Sequence, residues 1–237
     1  MAFMISGLPI KARPVIFLID VAEGKDAACN FLWNLLNKLK ALQKHREILM
    51  VSIILYSHNT HFLKIYLDSV QKDSINDYTQ KYKFVEFLSI INESCLPIYN
   101  ANNIKETGLR FFFNQYVYEQ QSIALNNTDY LKPVFDVADR IMFFLPENWI
   151  NTCLVIIDNS LTQKKMKQIN KFKMDSIHMT RLCTSKINND IKRIGFLAEE
   201  ILQYVEPKPI PRVKKKSVVD CLAVQIPVLE GAMYDNE

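Results

Sequence analysis

The sequence predicts an α/β protein whose doubly wound, mostly parallel sheet has one antiparallel edge strand and carries helices on both faces. Three observations favour this fold class. Short apolar runs rich in β-branched residues, such as residues 14–20, have the composition of strands buried on both faces. Between these runs, apolar residues recur every three or four positions, as they do in amphipathic helices. The two patterns alternate, and such alternation favours parallel strands joined by right-handed helical crossovers.

The first elements predict a β-α-β-β order. Residues 14–20 predict a central strand, after which Asp26 can cap the amphipathic helix that follows. The apolar run at 48–56 predicts a second buried strand, and alternating residues at 62–67 predict an antiparallel partner at the edge of the sheet. Over residues 69–103 the pattern favours neither strand nor helix.

The second half of the chain continues the alternation of helices and strands. Apolar residues at helical spacing predict the helices, and β-branched runs predict the strands. In chain order the predicted elements are helices at 104–117 and 130–145, a strand at 152–157, a Lys-rich helix at 163–172, a strand at 176–184 and a helix at 191–205.

The composition indicates a folded domain and argues against several classes of protein. The 237 residues are 49% hydrophobic and carry a formal net charge of +4, which is too small and too dispersed to indicate nucleic-acid binding. The longest apolar runs fall short of the roughly 18 residues that a membrane-spanning helix needs. The N-terminal stretch is too short and too weakly apolar for a signal peptide. We therefore expect a cytoplasmic or nuclear protein with no direct contact to membranes or nucleic acid.

Cysteine, histidine and aromatic residues are predicted to be structural or solvated. The five cysteines are widely spaced without a CxxC pair, which predicts free, buried thiols and neither disulfides nor a zinc site. His58 and His61 flank a predicted turn and are expected to be solvated. Consecutive rings on a helix point about 100° apart, so Phe111 or Phe113 is expected to be exposed.

Two acids stand where ligands bind in α/β sheets. Asp20 and Asp158 each end a predicted buried strand, and sites in such sheets lie at the carboxyl ends of strands. Two neighbouring carboxylates could hold Mg²⁺, because this ion prefers carboxylate oxygens and water. An Asp at a strand end can equally cap the following helix. Both interpretations remain open on the residues alone.

The order of elements and several short stretches are characteristic of one family. These features are a strand ending Phe-Leu-Ile-Asp20, a long helix, a hairpin, a helical region entered through residues 102–109, and a strand ending at Asp158. Together they resemble a von Willebrand factor A (VWA) domain over residues 12–205, similar to the intracellular bacterial type of tellurium-resistance and stress-response proteins. The resemblance implies a VWA-like α/β domain at 1–206.

The resemblance also implies a metal-ion-dependent adhesion site that is degenerate in this chain. In the family, such a site takes ligands from a DxSxS loop, from a Thr in a later loop and from an Asp after the fourth strand. Asp20, Asn103 and Asp158 stand at three of these positions, whereas Ala22 and Gly24 replace the two Ser residues. Neither replacement offers a side-chain oxygen, so we expect Mg²⁺ to bind weakly or not at all. No other cofactor is expected.

Residues 207–237 are predicted to form a basic, Pro-rich linker and an apolar tail. Their prolines and three consecutive lysines indicate an extended connection, and the alternating apolar residues beyond it suit binding to a partner's groove or sheet edge. The alternative is a final strand on the chain's own domain. The candidate partner-binding residues are Val218, Leu222, Val224, Ile226 and Val228.

These features favour a non-enzymatic protein–protein interaction module, acting as an adaptor subunit of a larger assembly. The sequence contains no nucleophile elbow and no P-loop that would indicate an enzyme. Two alternatives remain open. One is a Mg²⁺-dependent nuclease of the PIN type, in which Glu23 and Glu106 would join Asp20 and Asp158. The other is a VWA domain with a functional, non-standard metal site.

Overall fold

A computed structural model gives the fold. It describes residues 4–5, 8–9, 11–22, 24–44, 47–57, 64–66, 88, 91–93, 96–115, 131–146, 149, 152–158, 167, 169, 179–184 and 191–203. The strands are β1 (Met4–Ile5), β2 (Leu8–Pro9), β3 (Lys11–Asp20), β4 (Glu47–Tyr56), β5 (Lys64–Ile65), β6 (Tyr99–Asn100), β7 (Thr152–Ile157) and β8 (Met179–Thr184). The helices are α1 (Lys25–Leu42), α2 (Glu106–Asn114), α3 (Leu131–Phe143) and α4 (Ile191–Gln203), with a 3₁₀ turn at Ala101–Asn103.

The described strands form a mixed, mostly parallel sheet. Its order is β5-β4-β3-β7-β8, and β6 also pairs with β4. The strands β4, β3, β7 and β8 run parallel to one another, whereas β5 and β6 pair antiparallel with different parts of β4. A separate antiparallel pair joins β1 to β2. The α/β class and the antiparallel edge segment, predicted at 62–67 and present as Lys64–Ile65, are therefore confirmed.

Alternating side chains of β3 divide the core into two clusters, one on each face of the sheet. Val15, Phe17 and Ile19 pack with buried residues of α1, α2 and α4. Ile16 and Leu18 pack with buried residues of α3. Because successive side chains of a strand point to opposite faces, the helices cover both faces of the sheet, as predicted.

The predicted bounds agree best for the fully buried strands. The strand predicted at 152–157 is present with those bounds, and the other two long strands extend beyond the predicted runs at their N-terminal ends. The helices predicted at 104–117, 130–145 and 191–205 are present as Glu106–Asn114, Leu131–Phe143 and Ile191–Gln203, and residues 116–117, 130 and 204–205 lie outside the described residues. Most of the helix predicted at 163–172, and the whole segment 207–237, lie outside the described residues.

Helix α1 starts one residue before the predicted cap. Gly24 is the N-cap residue, its carbonyl oxygen accepts the amide hydrogen of Ala28 at 3.1 Å, and it makes no side-chain cap bond. The predicted cap at Asp26 is therefore wrong. Asp26 lies in the first turn instead, where its negative charge is favoured by the helix dipole.

Gly24→Ala is expected to lower the free energy of unfolding by about 1–2 kcal/mol, because Gly24 has a φ of 150°, which L side chains rarely adopt. The cost is a backbone cost, since an added Cβ would lie 3.9 Å from the Cβ of Ala27, an ordinary contact. Gly108→Ala in α2 is the matched control, where better helix propensity is expected to raise stability by up to about 1 kcal/mol. Urea denaturation compares the two variants, and effects of the same sign would contradict the assignment.

Candidate functional site at the carboxyl edge of the sheet

Three polar side chains lie at one level where three neighbouring strands end. Asp20 of β3 is paired in register with Tyr56 of β4, and Ile19 is paired with Ile157 of β7. Asp158, the residue after Ile157, is therefore level with Asp20. The parallel sheet brings the two acids that the sequence singled out to the same edge, on adjacent strands.

Tyr56 reaches across the central strand to one of these acids. Its hydroxyl donates a hydrogen bond of 2.8 Å to Oδ2 of Asp158, although β3 lies between the strands that carry the two residues. Tyr56 belongs to the core cluster on the α3 face, and both it and Asp158 are buried. This bond holds the Asp158 side chain on that face, at the end of the sheet.

The backbone of the following loop binds the second acid. The amide of Ala22 donates a hydrogen bond of 3.0 Å to Oδ1 of Asp20, which is itself buried. The amide of Val21 donates a bond of 2.9 Å to the carbonyl oxygen of Tyr56, so the chain stays tied to β4 as it leaves β3. Ala22 therefore contacts Asp20 through its backbone amide. A Ser at this position would also offer a hydroxyl oxygen.

Asn103 lies in a different environment from the acids. It ends the 3₁₀ turn, whose preceding residue Asn100 accepts the amide hydrogen of Asn102 at 2.9 Å through its side chain. Asn103 is exposed, whereas Asp20 and Asp158 are buried. The structure thus brings together the two acids of the predicted metal site and leaves its third member on the surface.

The described residues offer few ligands for a cation. Within that part of the chain, no group of three or more His, Cys, Asp or Glu side chains is arranged to hold a metal ion. Gly24 has no side chain, and Glu23 lies outside the described residues. Glu106, an optional acid of the nuclease hypothesis, instead forms an ion pair of 2.7 Å with Arg110 on the surface of α2.

Tyr56 is the member of this edge that the sequence analysis missed. The sequence indicates only the apolar end of a strand at this position, because eight of the nine residues at 48–56 suit a buried sheet and none indicates a partner. The ends of the strands could have predicted Tyr56 as a member of this edge. A hydroxyl at the last position of one parallel strand lies level with the acids that end the neighbouring strands. The candidate residues Val218, Leu222, Val224, Ile226 and Val228, together with His58 and His61, lie outside the described residues.

Two buried thiols have pKa values far above the usual range. Cys29 and Cys153 are free and buried, as predicted for the cysteines. Burial raises the pKa of Cys29 to about 11 and that of Cys153 to about 12, while the positive charge of Arg13 acts in the opposite direction on Cys153. Thiolate is the reactive form, so the raised pKa values and the burial both disfavour reaction of these side chains in the folded protein.

Stability is expected to fall as the pH rises from about 9 toward 12. The unfolded thiols ionise near pH 9.0, whereas the folded thiols ionise only near pH 11 for Cys29 and near pH 12 for Cys153, so the unfolded state loses protons first. Urea unfolding at pH 8 and pH 10 measures the loss. In Cys29→Ala/Cys153→Ala the difference between the two pH values should shrink, and an unchanged difference would assign it to other groups.

No protein-family model matches this sequence, and no curated protein sequence is significantly similar to it. The fold and the geometry of the sheet edge are therefore the basis for classification. Among the described helices, none is long and apolar enough to cross a membrane. The class that the observations define is an α/β domain with a mixed sheet and two buried acids at its carboxyl edge.

Proposed function

We propose that this chain is a non-enzymatic protein–protein interaction module, an adaptor subunit of a larger assembly in the cytoplasm, built on a doubly wound, VWA-like scaffold whose metal site is lost or weakened. The observation that supports the loss of the metal site is the hydrogen bond from the Tyr56 hydroxyl to Asp158. It gives an acid of the expected metal site a partner within the protein itself.

Both acids have donors that a cation would have to displace or share. Asp158 accepts from a buried hydroxyl and Asp20 accepts from a backbone amide, so one oxygen of each carboxylate already has a protein partner. Mg²⁺ loses its water reluctantly and requires near-octahedral oxygen ligands. Ala22 and Gly24 supply no oxygen ligand from a side chain. This supports a sheet edge that is stabilised by hydrogen bonds and not by a metal ion.

Titration with Mg²⁺ or Mn²⁺ tests the loss of the metal site. The midpoint of thermal unfolding of the full chain is expected to stay the same up to about 10 mM Mg²⁺, because only a ligand that binds the native state raises it. A midpoint that rises at micromolar metal in the wild type and not in Asp20→Asn would overturn the proposal. That result would establish the alternative of a functional, non-standard metal site.

A second experiment tests the assignment as a non-enzyme. The full chain is incubated with single-stranded DNA and RNA in the presence of Mn²⁺, and no hydrolysis is expected. Hydrolysis that disappears in Asp20→Asn but persists in Asn103→Ala would contradict the proposal and favour the nuclease alternative. Asn103 is a suitable control because it is exposed and follows β6, whose Asn100 pairs with Met50, whereas Asp20 is level with Tyr56 at the carboxyl end of β4.

The proposed partner contact is the apolar tail. Alternating residues such as Leu222, Val224 and Ile226 suit addition of a strand to a partner's sheet, because every second side chain points to the same face. Affinity purification of the full chain is compared with that of a chain lacking residues 207–237 and of Val224→Asp. A partner that is retained by all three would exclude the tail as its binding site.

A further inference from the structure

Helix α4 has one face buried on the domain and an opposite face in solvent. Its buried residues Ile194, Ala198 and Ile201 belong to the core cluster that also contains α1. At Gly195 an added Cβ would lie 3.8 Å from Cε of Lys38, so the side chain of Lys38 in α1 reaches α4 at this position. The orientation of α4 about its own axis is therefore fixed, and so is the face that it presents outward.

The outward face carries a large aromatic ring between two pairs of opposite charge. Phe196 is 69% exposed, although a Phe side chain in a folded domain is normally buried. The basic residues Lys192 and Arg193 precede it on the same exposed face, and the acidic residues Glu199 and Glu200 follow it. At about 100° per residue, all four charges lie within about 60° of the direction of Phe196.

The charges are arranged symmetrically about the ring. Lys192 and Glu200 are each four positions from Phe196, and Arg193 and Glu199 are each three positions from it. Reversing the direction of the helix therefore exchanges the basic pair for the acidic pair and leaves the ring in place. A surface with this property is complementary to its own copy in the antiparallel orientation.

We propose that the outward face of α4 binds the same face of a second copy of this chain, with the two helices antiparallel and a two-fold axis at Phe196. Such an interface is isologous, because each copy contributes the same patch. The two Phe196 rings meet at the axis, and Lys192 and Arg193 of each copy lie beside Glu199 and Glu200 of the other. A parallel arrangement would place like charges together, so the charges also select the orientation.

The size of the surface sets the expected strength. Helix α4 has 13 residues and is about 20 Å long, so one helix pair buries less than the roughly 1,600 Å² of a standard stable interface. We expect a reversible dimer with a dissociation constant above about 1 µM that weakens as salt screens the charges. The proposal is independent of the acids at the sheet edge and of the tail, so it can fail while the proposed function holds.

Sedimentation equilibrium of the full chain, measured up to about 1 mM, tests the ring. The wild type is expected to form a dimer, and Phe196→Ala is expected to weaken it at least about tenfold because the central contact is lost. Phe143→Ala is the matched control, since Phe143 of α3 is 73% exposed but lies outside this surface. A wild type that stays monomeric over the whole range, or equal effects of the two variants, would overturn the proposal.

Charge reversal tests the antiparallel arrangement independently. Lys192→Glu/Arg193→Glu makes the face entirely acidic, and Glu199→Lys/Glu200→Lys makes it entirely basic, so each variant is expected to be monomeric. An equimolar mixture of the two should form a heterodimer, and the variant with all four changes should form a homodimer again. Circular dichroism verifies that each variant is folded. A dimer that survives either single reversal would rule out this interface.

Discussion

Arg13→Met is expected to lower the free energy of unfolding by about 3 kcal/mol, because the change leaves a carboxylate with little solvent and no partner. The Arg13 side chain is 2% exposed, and its guanidinium donates to Oε2 of Glu47 through Nη2 at 2.9 Å and Nε at 3.1 Å. The Glu47 side chain is only 12% exposed. Breaking a buried pair at one member is more harmful than removing both members, since the remaining charge stays buried.

The double variant Arg13→Met/Glu47→Leu distinguishes the charge from the packing. It is expected to recover to within about 1 kcal/mol of the wild type, because no uncompensated charge remains. Lys132→Met serves as a surface control: Lys132 pairs with Asp136 at 2.8 Å, but exposure limits the expected loss to about 0.5 kcal/mol. Chemical denaturation measures all variants. A double variant as unstable as Arg13→Met would show that the stem of Arg13 contributes through packing.

Tyr56→Phe is expected to lower the free energy of unfolding by about 2 kcal/mol, the second largest effect. The change removes one hydroxyl and keeps the ring in the core, so the loss measures the hydrogen bond to the buried Asp158. Bonds to charged groups contribute more than neutral ones, and a buried acceptor without its donor carries the cost of its lost hydration.

A double-mutant cycle with Asp158→Asn compares a carboxylate with an amide as the acceptor of this bond. The amide oxygen of Asn can still accept from Tyr56, but leaving it without this donor is less unfavourable than for a carboxylate. Tyr56→Phe should therefore lower the free energy of unfolding by less in the Asp158→Asn background. Thermal and urea unfolding give the four stabilities. Equal losses in both backgrounds would mean that an amide oxygen accepts this bond as well as the carboxylate of Asp158 does.

The sequence predicts well those parts of the fold in which burial alone decides the structure. The strand at 152–157 is continuous in β-branched and apolar residues, every one of which is buried, so its bounds follow from composition. The amphipathic helix α4 is equally predictable from the sequence, since its buried residues repeat at helical spacing. Of the two rings considered for exposure, Phe111 is half exposed and Phe113 is buried, because only the latter faces the core.

Features set by pairing between distant segments were not predictable in the same way. The two-residue strands β1, β2 and β6 are too short to produce a pattern, and they exist only through their partners. The bond between Tyr56 and Asp158 depends on the register of three strands, which no local stretch encodes. The N-cap position of α1 was missed because Gly24 adopts a backbone conformation that a side chain rarely allows.

The order of strands has a consequence for synthesis on the ribosome. The central strand β3 pairs on one side with β4 and on the other with β7, where Val15 is opposite Cys153. The edge of β3 that faces β4 can pair early in synthesis. The edge that pairs with β7 stays unpaired while roughly a hundred further residues are translated, which takes about 5–20 s. During that interval the nascent chain presents an unpaired apolar strand. Binding by a holdase chaperone at this stage would keep the emerging half-sheet from pairing with other chains.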